Sequence, residues 1–363
     1  MDSVIQKDID GIITSYGHRL KHLGGKTVVI TGANGVVGAY FVHTIARLNK
    51  TICKKQPITC ICLTRHKVST LSRLGYLLKN KNIQFKTVDV TVKIPTIAHV
   101  DYIIHCASYG SPKAYLSKPI ATMESNSTGT KLLLDISKEK HVKNIMFIST
   151  GSVYGDARKN EESFTEEHSG YVSPLEPRAI YSESKRYGET LCMVYARYFN
   201  VHTTVARLSN MFGPGFSLDD GRAIPDFFNQ AFEKQKIEIN GDPATIRAYV
   251  YIADAIEGMF RILLDGKKGE VYNVANEKGR KIKEIAENIC AFYKDCSVVA
   301  KENKNRSYLK GSAATVVVSA KKIKKELGWK EQTTLNEGLK RLYSWYSNVK
   351  NNERIKNYKS KTI

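Results

Sequence analysis

The sequence predicts an α/β protein, in which a doubly wound parallel sheet is followed by a smaller C-terminal α/β lobe. Three observations lead to this prediction. Short apolar runs alternate with helical patterns over the first 210 residues, as is typical of parallel βαβ units. A glycine-rich turn joins the first apolar run to the first long helical pattern. The composition, with 42% hydrophobic and 25% charged residues, is that of a globular protein.

The predicted elements follow one another in a regular order. The strands are short apolar runs at residues 28–31, 58–63, 83–90, 102–106, 145–149 and 204–208. The helices show a period near 3.6 residues and cover residues 36–48, 120–139, 182–198, 225–233, 253–264 and 282–293. After residue 210 the alternation weakens, which indicates that the last third forms a different lobe.

Charge is the most unusual feature of the composition. The chain has 56 Lys and Arg against 35 Asp and Glu, a net charge of +21, and residues 297–363 hold 16 of the former and 5 of the latter. A basic chain is compatible with nucleic acid or with an anionic small molecule. Because no zinc-ligand spacing or RNA-binding signature accompanies the lysines, we expect no nucleic-acid partner. The lysines are compatible with a solvated surface and also with an anionic small substrate.

Several sequence features are absent, and these absences define the expected environment. No apolar stretch approaches the roughly 18 residues of a membrane span, and the first ten residues do not form a secretory signal. The seven cysteines include no CxxC pair, which predicts no disulfide framework. Cys60 and Cys62 alternate along a strand pattern and are expected in its core. We therefore expect a cytoplasmic, reduced protein with no membrane partner and no metal site.

The turn after the first strand is a candidate phosphate cradle. Its sequence is Gly-Ala-Asn-Gly-Val-Val-Gly over residues 32–38. The first glycine permits the tight turn, the second lets backbone N–H groups approach a pyrophosphate, and the third lets the helix lie close to the strand. A plain glycine-rich turn is the alternative. The predicted cofactor-binding residues here are Gly32, Asn34, Gly35, Val36, Val37 and Gly38.

The end of the second strand bears on the choice between NAD and NADP. An acidic residue there would bind the ribose hydroxyls, whereas a basic one would accommodate a 2′-phosphate. The strand ends in Arg65 with no carboxylate, and the planar guanidinium suits a phosphate. The sequence therefore favours NADP over NAD. Asp89 and Val90 are placed to meet the adenine, although Asp89 would equally cap the next turn. Ala107, which follows the fourth strand, is a further predicted cofactor-binding residue.

A Tyr-x-x-x-Lys pattern supplies the candidate catalytic groups. Tyr181 and Lys185 share one face of a predicted helix. An ammonium and a nicotinium beside the phenol would lower its pKa from about 10 toward the working pH, so that Tyr181 acts as a general base. Thr150 ends the fifth strand, and the carboxyl ends of parallel strands line the ligand crevice. Its hydroxyl would hold the substrate oxygen opposite Tyr181.

These motifs resemble those of the extended short-chain dehydrogenase/reductases, in particular the NAD-dependent epimerase/dehydratase family of nucleotide-sugar enzymes. The resemblance includes Ser149-Thr150 before Val153-Tyr154-Gly155, and it covers residues 26–346. Residues 177–181, 210–214, 220–222 and 246–249 resemble the UDP-glucuronate decarboxylase-like subgroup in particular. Leu327-Gly328-Trp329 is similar to the family's C-terminal signature.

The resemblance implies a Rossmann fold, a homodimer and hydride transfer at C4 of a nucleotide-linked sugar. Tyr181 would take the C4 hydroxyl proton, Lys185 would hold the nicotinamide ribose and lower the phenol pKa, and Thr150 would bind the C4 oxygen. Asn126 matches a helix that supports the cofactor site. The implied substrate-binding residues are Ser152, Asn210, Arg222, Arg247 and Arg306, among which a guanidinium suits a diphosphate; Arg247 alone would otherwise be read as part of a surface salt bridge.

The sequence pattern divides the chain into four parts, and the resemblance suggests what the two larger ones bind. The parts are a helical extension (1–24), a dinucleotide-binding domain with the catalytic residues (25–210), a lobe that mainly binds the nucleotide sugar (211–346) and a polar basic tail (347–363). Helices 120–139 and 182–198 would supply the dimer interface or simply cover the sheet. Tyr109, Lys113 and Tyr115 are further candidates for the sugar pocket, with aromatic packing as the alternative.

Two positions depart from the family pattern. The dehydratases resemble one another in an Asp-Glu pair after the Thr, and the decarboxylases keep the Glu, whereas this chain has Gly151 and Ser152. Without carboxyl groups there, the sequence argues against dehydration. It favours a 4-epimerase or 4-ketoreductase in glycan precursor synthesis, which needs only the Thr, Tyr and Lys. A UDP-glucuronate decarboxylase and a non-catalytic dinucleotide-binding module are the alternatives.

Overall fold

The computed structural model describes residues 1–156, 163–301 and 315–351. The strands are β1 (Thr27–Thr31), β2 (Thr59–Thr64), β3 (Ile83–Thr87), β4 (Tyr102–His105), β5 (Asn144–Thr150), β6 (Thr203–Leu208), β7 (Asn210–Phe212), β8 (Lys236–Asn240), β9 (Ile246–Arg247), β10 (Tyr249–Tyr251), β11 (Val271–Val274), β12 (Arg280–Lys281), β13 (Ser297–Lys301) and β14 (Thr315–Val316). All six predicted strands are present, with their ends displaced by at most three residues.

In the described residues, the main sheet has seven strands in the order β11-β6-β5-β4-β1-β2-β3. Every neighbouring pair is parallel. The chain winds outward from β1 in both directions, so the order reverses between β1 and β4. At such a switch point the crossover loops diverge and leave a crevice at the carboxyl ends of the strands. The predicted doubly wound α/β class is confirmed.

Helices cover both faces of this sheet. They are α1 (Ser3–Leu20), α2 (Val36–Leu48), α3 (Pro112–Ser117), α4 (Pro119–Asn126), α5 (Thr128–Glu139), α6 (Ala179–Tyr198), α7 (Ala223–Lys234), α8 (Ile252–Asp265), α9 (Ile282–Cys290), α10 (Lys321–Leu327) and α11 (Leu335–Asn351). Helices α1, α2 and α8 pack together on one face, and α4, α5 and α6 pack together on the other. The single helix predicted over 120–139 is two helices, because the backbone of Ser127 (φ −105°, ψ −79°) interrupts it.

The N-terminal helix is tied to the core by a buried carboxylate. Asp8 of α1 accepts hydrogen bonds from the hydroxyls of Tyr40 (3.0 Å) and Tyr251 (2.9 Å) and from Arg341 Nη1 (3.1 Å). These partners belong to α2, β10 and α11. Burial raises the pKa of Asp8 to about 6, although the hydrogen bonds and the Arg341 charge oppose the shift. Four separate parts of the chain therefore meet at one ionisable group.

The C-terminal lobe carries three smaller sheets, which pair β7 with β10, β8 with β13, and β9 with β12 and β14. The lobe does not separate cleanly from the main sheet. Strand β11 lies far beyond residue 210, yet it pairs with β6 over Val271–Val274. The sequence pattern changes at residue 210, but this position is not a boundary of the main sheet, because β11 comes later in the chain and belongs to that sheet.

One disulfide corrects the expectation of a reduced chain. Cys290 and Cys296 are joined at the end of α9, with their Cα atoms 5.4 Å apart. The turn after the helix brings these residues together, and their spacing in sequence carried no recognised motif. Cys60 and Cys62 are fully buried in β2, as expected.

In the described part of the chain, no helix has the length and apolar character of a membrane span. In the same residues, no cluster of His, Cys, Asp or Glu side chains is arranged around a metal site.

Candidate active site

A cavity of about 1420 Å³ opens over the carboxyl ends of the main-sheet strands. It begins at the glycine-rich turn, passes between β5 and α6, and reaches β9 in the C-terminal lobe. Most of the predicted site residues line it. They are Gly32, Asn34, Gly35, Val36, Val37, Gly38, Arg65, Asp89, Val90, Ala107, Thr150, Ser152, Tyr181, Lys185, Asn210, Arg222 and Arg247. Asn126 does not line the cavity, and Arg306 lies outside the described residues.

The glycine turn has the close backbone packing that its sequence predicts. Gly32 adopts φ +61°, and a Cβ atom there would lie 2.8 Å from the Ala107 Cα. A Cβ atom on Gly38 would lie 2.4 Å from the Gly32 carbonyl oxygen. Helix α2 begins at Val36, so its free N–H groups point toward the cavity and favour a phosphate. These features fit the pyrophosphate of a dinucleotide.

Buried polar atoms in the cavity wall also indicate a polar ligand. The side-chain oxygens of Asn34, Thr64, Ser108 and Ser209 are buried and have no hydrogen-bond partner among the described residues. All four residues line the cavity. Burying such atoms without partners is costly, and a ligand with ribose hydroxyls and amide groups would satisfy them.

The adenosine end of the cavity contains an ion pair that the sequence did not predict. Arg65 Nε lies 3.1 Å from the Asp89 carboxylate, and Arg65 also donates to the Tyr109 hydroxyl. Asp89 accepts from the backbone N–H (3.0 Å) and hydroxyl (2.7 Å) of Thr91, so it does cap the following turn. Burial opposes its ionisation, but the Thr91 bonds and the Arg65 charge together lower the pKa of Asp89.

The three predicted catalytic side chains meet midway along the cavity. Thr150 and Tyr181 both line the cavity, and the Thr150 side chain lies near enough to the Tyr181 phenol to lower its pKa. Lys185 Nζ lies 5.9 Å from the centre of the Tyr181 ring and donates to the Ile148 carbonyl oxygen (2.6 Å). The Tyr115 ring stacks on the Tyr181 ring at 5.4 Å with an angle of 7° between them. Residues far apart in the sequence thus converge beside the glycine turn.

Burial dominates the electrostatics of the pair formed by Tyr181 and Lys185. Burial raises the pKa of Tyr181, and the Arg222 charge and the Thr150 hydrogen bond oppose this shift. Burial lowers the pKa of Lys185 to about 7. Desolvation thus outweighs the nearby charges at Tyr181, where Arg222 is the cation that opposes the shift. The lowering of the phenol pKa by Lys185 together with a nicotinium stays a prediction.

Arg222 is placed next to the catalytic group. Its Nη2 atom donates to the Gly110 carbonyl oxygen (2.7 Å), and Nη1 lies 3.2 Å from Asp220. The guanidinium also lies 4.9 Å from the centre of the Phe216 ring. These contacts fix Arg222 on the sugar side of Tyr181, where it would meet the substrate near the reacting carbon.

The far end of the cavity holds the other predicted substrate residues. Asn210 in β7 donates to the Ala248 carbonyl oxygen (3.3 Å), and Arg247 in β9 donates to the Ile246 carbonyl oxygen (2.8 Å). Burial lowers the pKa of Arg247, and a partly desolvated guanidinium favours an anionic ligand such as a diphosphate. Tyr109 and Tyr115 line the cavity, whereas Lys113 does not and pairs with Asp219.

Asn126, which was predicted to support the cofactor site, lies behind that site and does not line the cavity. It is fully buried, and its amide nitrogen donates to the Ser184 hydroxyl at 3.0 Å. Ser184 lies on α6, between Tyr181 and Lys185. Because α4 packs on α6, the Asn126 side chain reaches the helix and not the cavity. It holds the catalytic helix in place.

Sequence reasoning missed a buried ion pair below Thr150. Glu189 accepts a hydrogen bond from the Ser149 hydroxyl (2.5 Å) and pairs with Arg207 Nη2 (2.7 Å). The Glu189 and Arg207 side chains are only 11% and 13% exposed. Glu189 follows Lys185 by one helical turn, and this spacing was the available signal. Its carboxylate raises the pKa of Lys185 against the effect of burial.

Comparison with known proteins agrees with this geometry. The sequence profile of the NAD dependent epimerase/dehydratase family matches residues 28–275. The chain belongs to this family. It is therefore an enzyme of the extended short-chain dehydrogenase/reductase type. It is 28% identical over 328 residues to UDP-glucuronic acid decarboxylase 1 from Xenopus tropicalis, covering 88% of this chain and 72% of the relative. It is 29% identical over 315 residues to UDP-glucuronic acid decarboxylase 2 from Arabidopsis thaliana, covering 87% and 67%.

Solved structures of family members share the fold. An epimerase from Methanothermobacter thermautotrophicus superposes with a TM-score of 0.78 at 22% identity, covering 95% of this chain and 98% of that one. A dTDP-glucose 4,6-dehydratase from Streptomyces venezuelae, solved with NAD, has a TM-score of 0.72 at 23% identity, covering 90% and 98%. UDP-glucose 4-epimerase from Thermotoga maritima, solved with UDP-glucose, has a TM-score of 0.72 at 22% identity, covering 89% and 99%.

Proposed function

We propose that this protein transfers hydride at C4 of a nucleotide-diphosphate sugar, as a 4-epimerase or a 4-ketoreductase. One observation carries the proposal. Thr150, Tyr181 and Lys185 line the same cavity, and the two residues after Thr150 bring no carboxyl group to it. A bound nicotinamide dinucleotide would supply the hydride donor and acceptor. The hydroxyl groups of Thr150 and Tyr181 are therefore the groups that would exchange a proton with the oxygen on C4.

Each side chain has a part in this reaction. Thr150 holds the C4 oxygen, and Tyr181 delivers a proton to it or removes one. The raised pKa of Tyr181 keeps the phenol protonated, and a protonated phenol is the form required when a 4-keto sugar is reduced. Lys185, which is buried below the Tyr181 ring, would hold the nicotinamide ribose. Asn210 and Arg247 would bind the diphosphate.

Decarboxylation of UDP-glucuronate is a second candidate, since the curated relatives named above carry that activity in their names. A β-keto acid loses carbon dioxide readily once C4 is oxidised, and this step needs less help from a protein acid than the loss of a hydroxyl does. Gly151 and Ser152 do not supply the Glu that the decarboxylases keep. The position next to Thr150 is thus where the two candidate functions diverge.

Mass spectrometry of the products separates the candidates. The enzyme is incubated with UDP-, dTDP-, GDP- and CDP-sugars, including UDP-glucuronate and 4-keto sugars, with each dinucleotide. An epimerase gives a diastereomer of unchanged mass, a ketoreductase adds two hydrogens, and a decarboxylase removes one carbon dioxide. Loss of carbon dioxide from UDP-glucuronate, with no change in any neutral sugar, would overturn the first proposal in favour of the second. No change in any substrate would favour a non-catalytic role.

For the cofactor, we propose a preference for NADP over NAD. Arg65 and Lys67 line the end of the cavity where the adenosine would bind and bring positive charge to it, and Asp89 neutralises only part of this charge. Replacing Arg65 by Ala should raise the KM for NADPH about tenfold, by loss of a guanidinium-phosphate contact, and should leave the KM for NADH nearly unchanged. Equal increases for both dinucleotides would contradict the preference.

We also propose that the protein forms a homodimer in the cytoplasm. Leu116, Ile120, Met123 and Tyr187 are 36%, 65%, 42% and 53% exposed, and all lie on α3, α4 or α6. Such a cluster of exposed apolar side chains is typical of an interface. Ile120→Lys should convert the dimer to a monomer in light scattering, whereas Val92→Lys, at a 74% exposed position elsewhere, should not. A wild-type monomer would contradict the proposal. Localisation of a tagged chain tests the compartment.

A further inference from the structure

The edge of the main sheet opposite the cavity carries exposed positive charge that the proposed function does not use. All the strands of a parallel sheet begin at the same edge. Backbone hydrogen bonds hold the loops before β1, β2 and β3 side by side, from Gly25 to Gln56 (2.9 Å), from Thr59 to Lys26 (2.9 Å) and from Cys60 to Asn82 (2.8 Å). These loops form one continuous surface.

This surface is basic and little neutralised. Lys50, Lys54 and Lys55 lie in the loop before β2, and Lys79 and Lys81 lie in the loop before β3. All five are exposed, and none forms an ion pair with another residue of the described ranges. The nearby carboxylates are already engaged, since Asp10 pairs with Arg47 and Asp101 pairs with Lys143 and His99.

Apolar side chains project from the same loops. Ile52 is 48% exposed and lies between Lys50 and Lys54, and Leu78 is 38% exposed and precedes Lys79. We call these seven residues, the five lysines with Ile52 and Leu78, the basic edge. Exposed aliphatic groups interspersed with lysines are typical of surfaces that touch anionic lipid, where the cations meet headgroups and the apolar groups enter the boundary with the acyl chains.

We propose that the basic edge binds an anionic membrane surface, as a peripheral contact. The expectation of no membrane partner rested on spanning segments, and a peripheral contact needs none. The mixture of charge and apolar exposure favours lipid over nucleic acid, because Ile52 and Leu78 would gain nothing against a phosphate backbone. The cavity lies at the carboxyl ends of the same strands, so a molecule bound through the basic edge keeps its cavity directed away from the membrane.

Co-sedimentation of the full chain with lipid vesicles tests the proposal. The protein should sediment with vesicles made of equal parts of phosphatidylcholine and phosphatidylserine, and should remain in solution with phosphatidylcholine alone. Added salt should release it, because screening shortens the range of the attraction. Failure to sediment with the phosphatidylserine vesicles at low salt would overturn the proposal.

Charge reversal locates the contact. The triple variant Lys50→Glu, Lys54→Glu, Lys55→Glu should lower the partition coefficient at least about tenfold. The matched control reverses three exposed lysines on or beside α10, Lys321→Glu, Lys325→Glu and Lys330→Glu, which changes the net charge equally and should keep most of the binding. Equal losses in both variants would show attraction to the overall charge and would overturn the assignment to the basic edge.

Two further measurements complete the test. Ile52→Ser should reduce binding to the phosphatidylserine vesicles a few-fold, by loss of the apolar contact, and an unchanged partition coefficient would refute the role of Ile52. A labelled DNA duplex that competes with the vesicles at lower concentration, through the same three lysines, would overturn the membrane assignment in favour of nucleic acid. Thermal unfolding verifies that each variant folds. The test does not depend on the proposed enzymatic activity, because vesicle binding is measured without turnover.

Discussion

The two edges of the main sheet hold cationic groups in opposite environments. At the carboxyl edge, Lys185 of α6 is buried, and burial lowers its pKa to about 7. At the amino edge, Lys50, Lys54 and Lys55 are exposed to solvent and act through their charge alone. The same residue type thus serves chemistry where the fold removes water and long-range attraction where it does not.

The largest expected effect is at the carboxyl edge. Tyr181→Phe removes the group that exchanges a proton with the sugar while it keeps the ring that stacks on Tyr115. Turnover should fall about a thousandfold, in the range ascribed to general acid–base catalysis, and dinucleotide affinity measured by calorimetry should be unchanged.

Tyr187→Phe is the matched control, since Tyr187 lies on the same helix but is 53% exposed, and its activity should match that of the wild type. If Tyr181→Phe kept most of its turnover, the proton would have to come from another group. The comparison of the two sheet edges would then no longer hold, because the buried groups at the carboxyl edge would not form a catalytic site.

The next effect tests whether the buried lysine depends on its neighbouring carboxylate. Glu189→Gln leaves Arg207 without a buried partner, which should lower the free energy of unfolding by about 3 kcal/mol. It also removes a charge that raises the pKa of Lys185, so the alkaline fall in kcat/KM should begin about one pH unit lower.

The control is Glu183→Gln, on the same helix, whose carboxylate is 40% exposed and pairs with Arg186. It should change neither unfolding nor the pH profile appreciably. A Glu189→Gln variant that is less stable but has an unshifted pH profile would limit Glu189 to a structural role.

Asp8 sharpens the comparison, because it is buried but does not line the cavity. Its folded pKa of about 6 lies above the ordinary value of 3.8, so the folded state binds the extra proton between these values. The resulting stabilisation is present below pH 3.8 and is lost as the pH rises through 6, by about 3 kcal/mol. Urea unfolding of Asp8→Asn should lack this decrease, and the same slope in both proteins would contradict the assignment. A shifted pKa alone therefore does not mark an active site.

The sequence predicted best what depends on neighbouring residues. The turn at Gly32, the start of α2 at Val36 and the pairing of Tyr181 with Lys185 are local patterns, and all were found in place. The features that were missed depend on distant parts of the chain. The addition of β11 to the main sheet, the contact of Asn126 with Ser184 and the disulfide at Cys290 each require the folded backbone.

The electrostatics of Tyr181 also depend on distant parts of the chain. The sequence shows a lysine one helical turn away, but it does not show how deeply the fold buries both groups or that Arg222 comes near from another lobe. Burial is a sum over the whole structure, and here it determines the direction of the shift for both Tyr181 and Lys185. Motifs locate the reacting groups, whereas their protonation follows from the packing around them.

The smallest expected effect lies at the amino edge. The strands near the middle of the sheet, β4, β1 and β5, are four, five and seven residues long, which separates the two edges of the sheet by about 13 to 23 Å. That distance exceeds the Debye length of about 10 Å at moderate salt. Reversing Lys50, Lys54 and Lys55 should therefore leave kcat and KM within about twofold of the wild type. A salt-dependent rise in KM would show that these lysines also attract the anionic substrate, and the two edges would then act as one electrostatic surface.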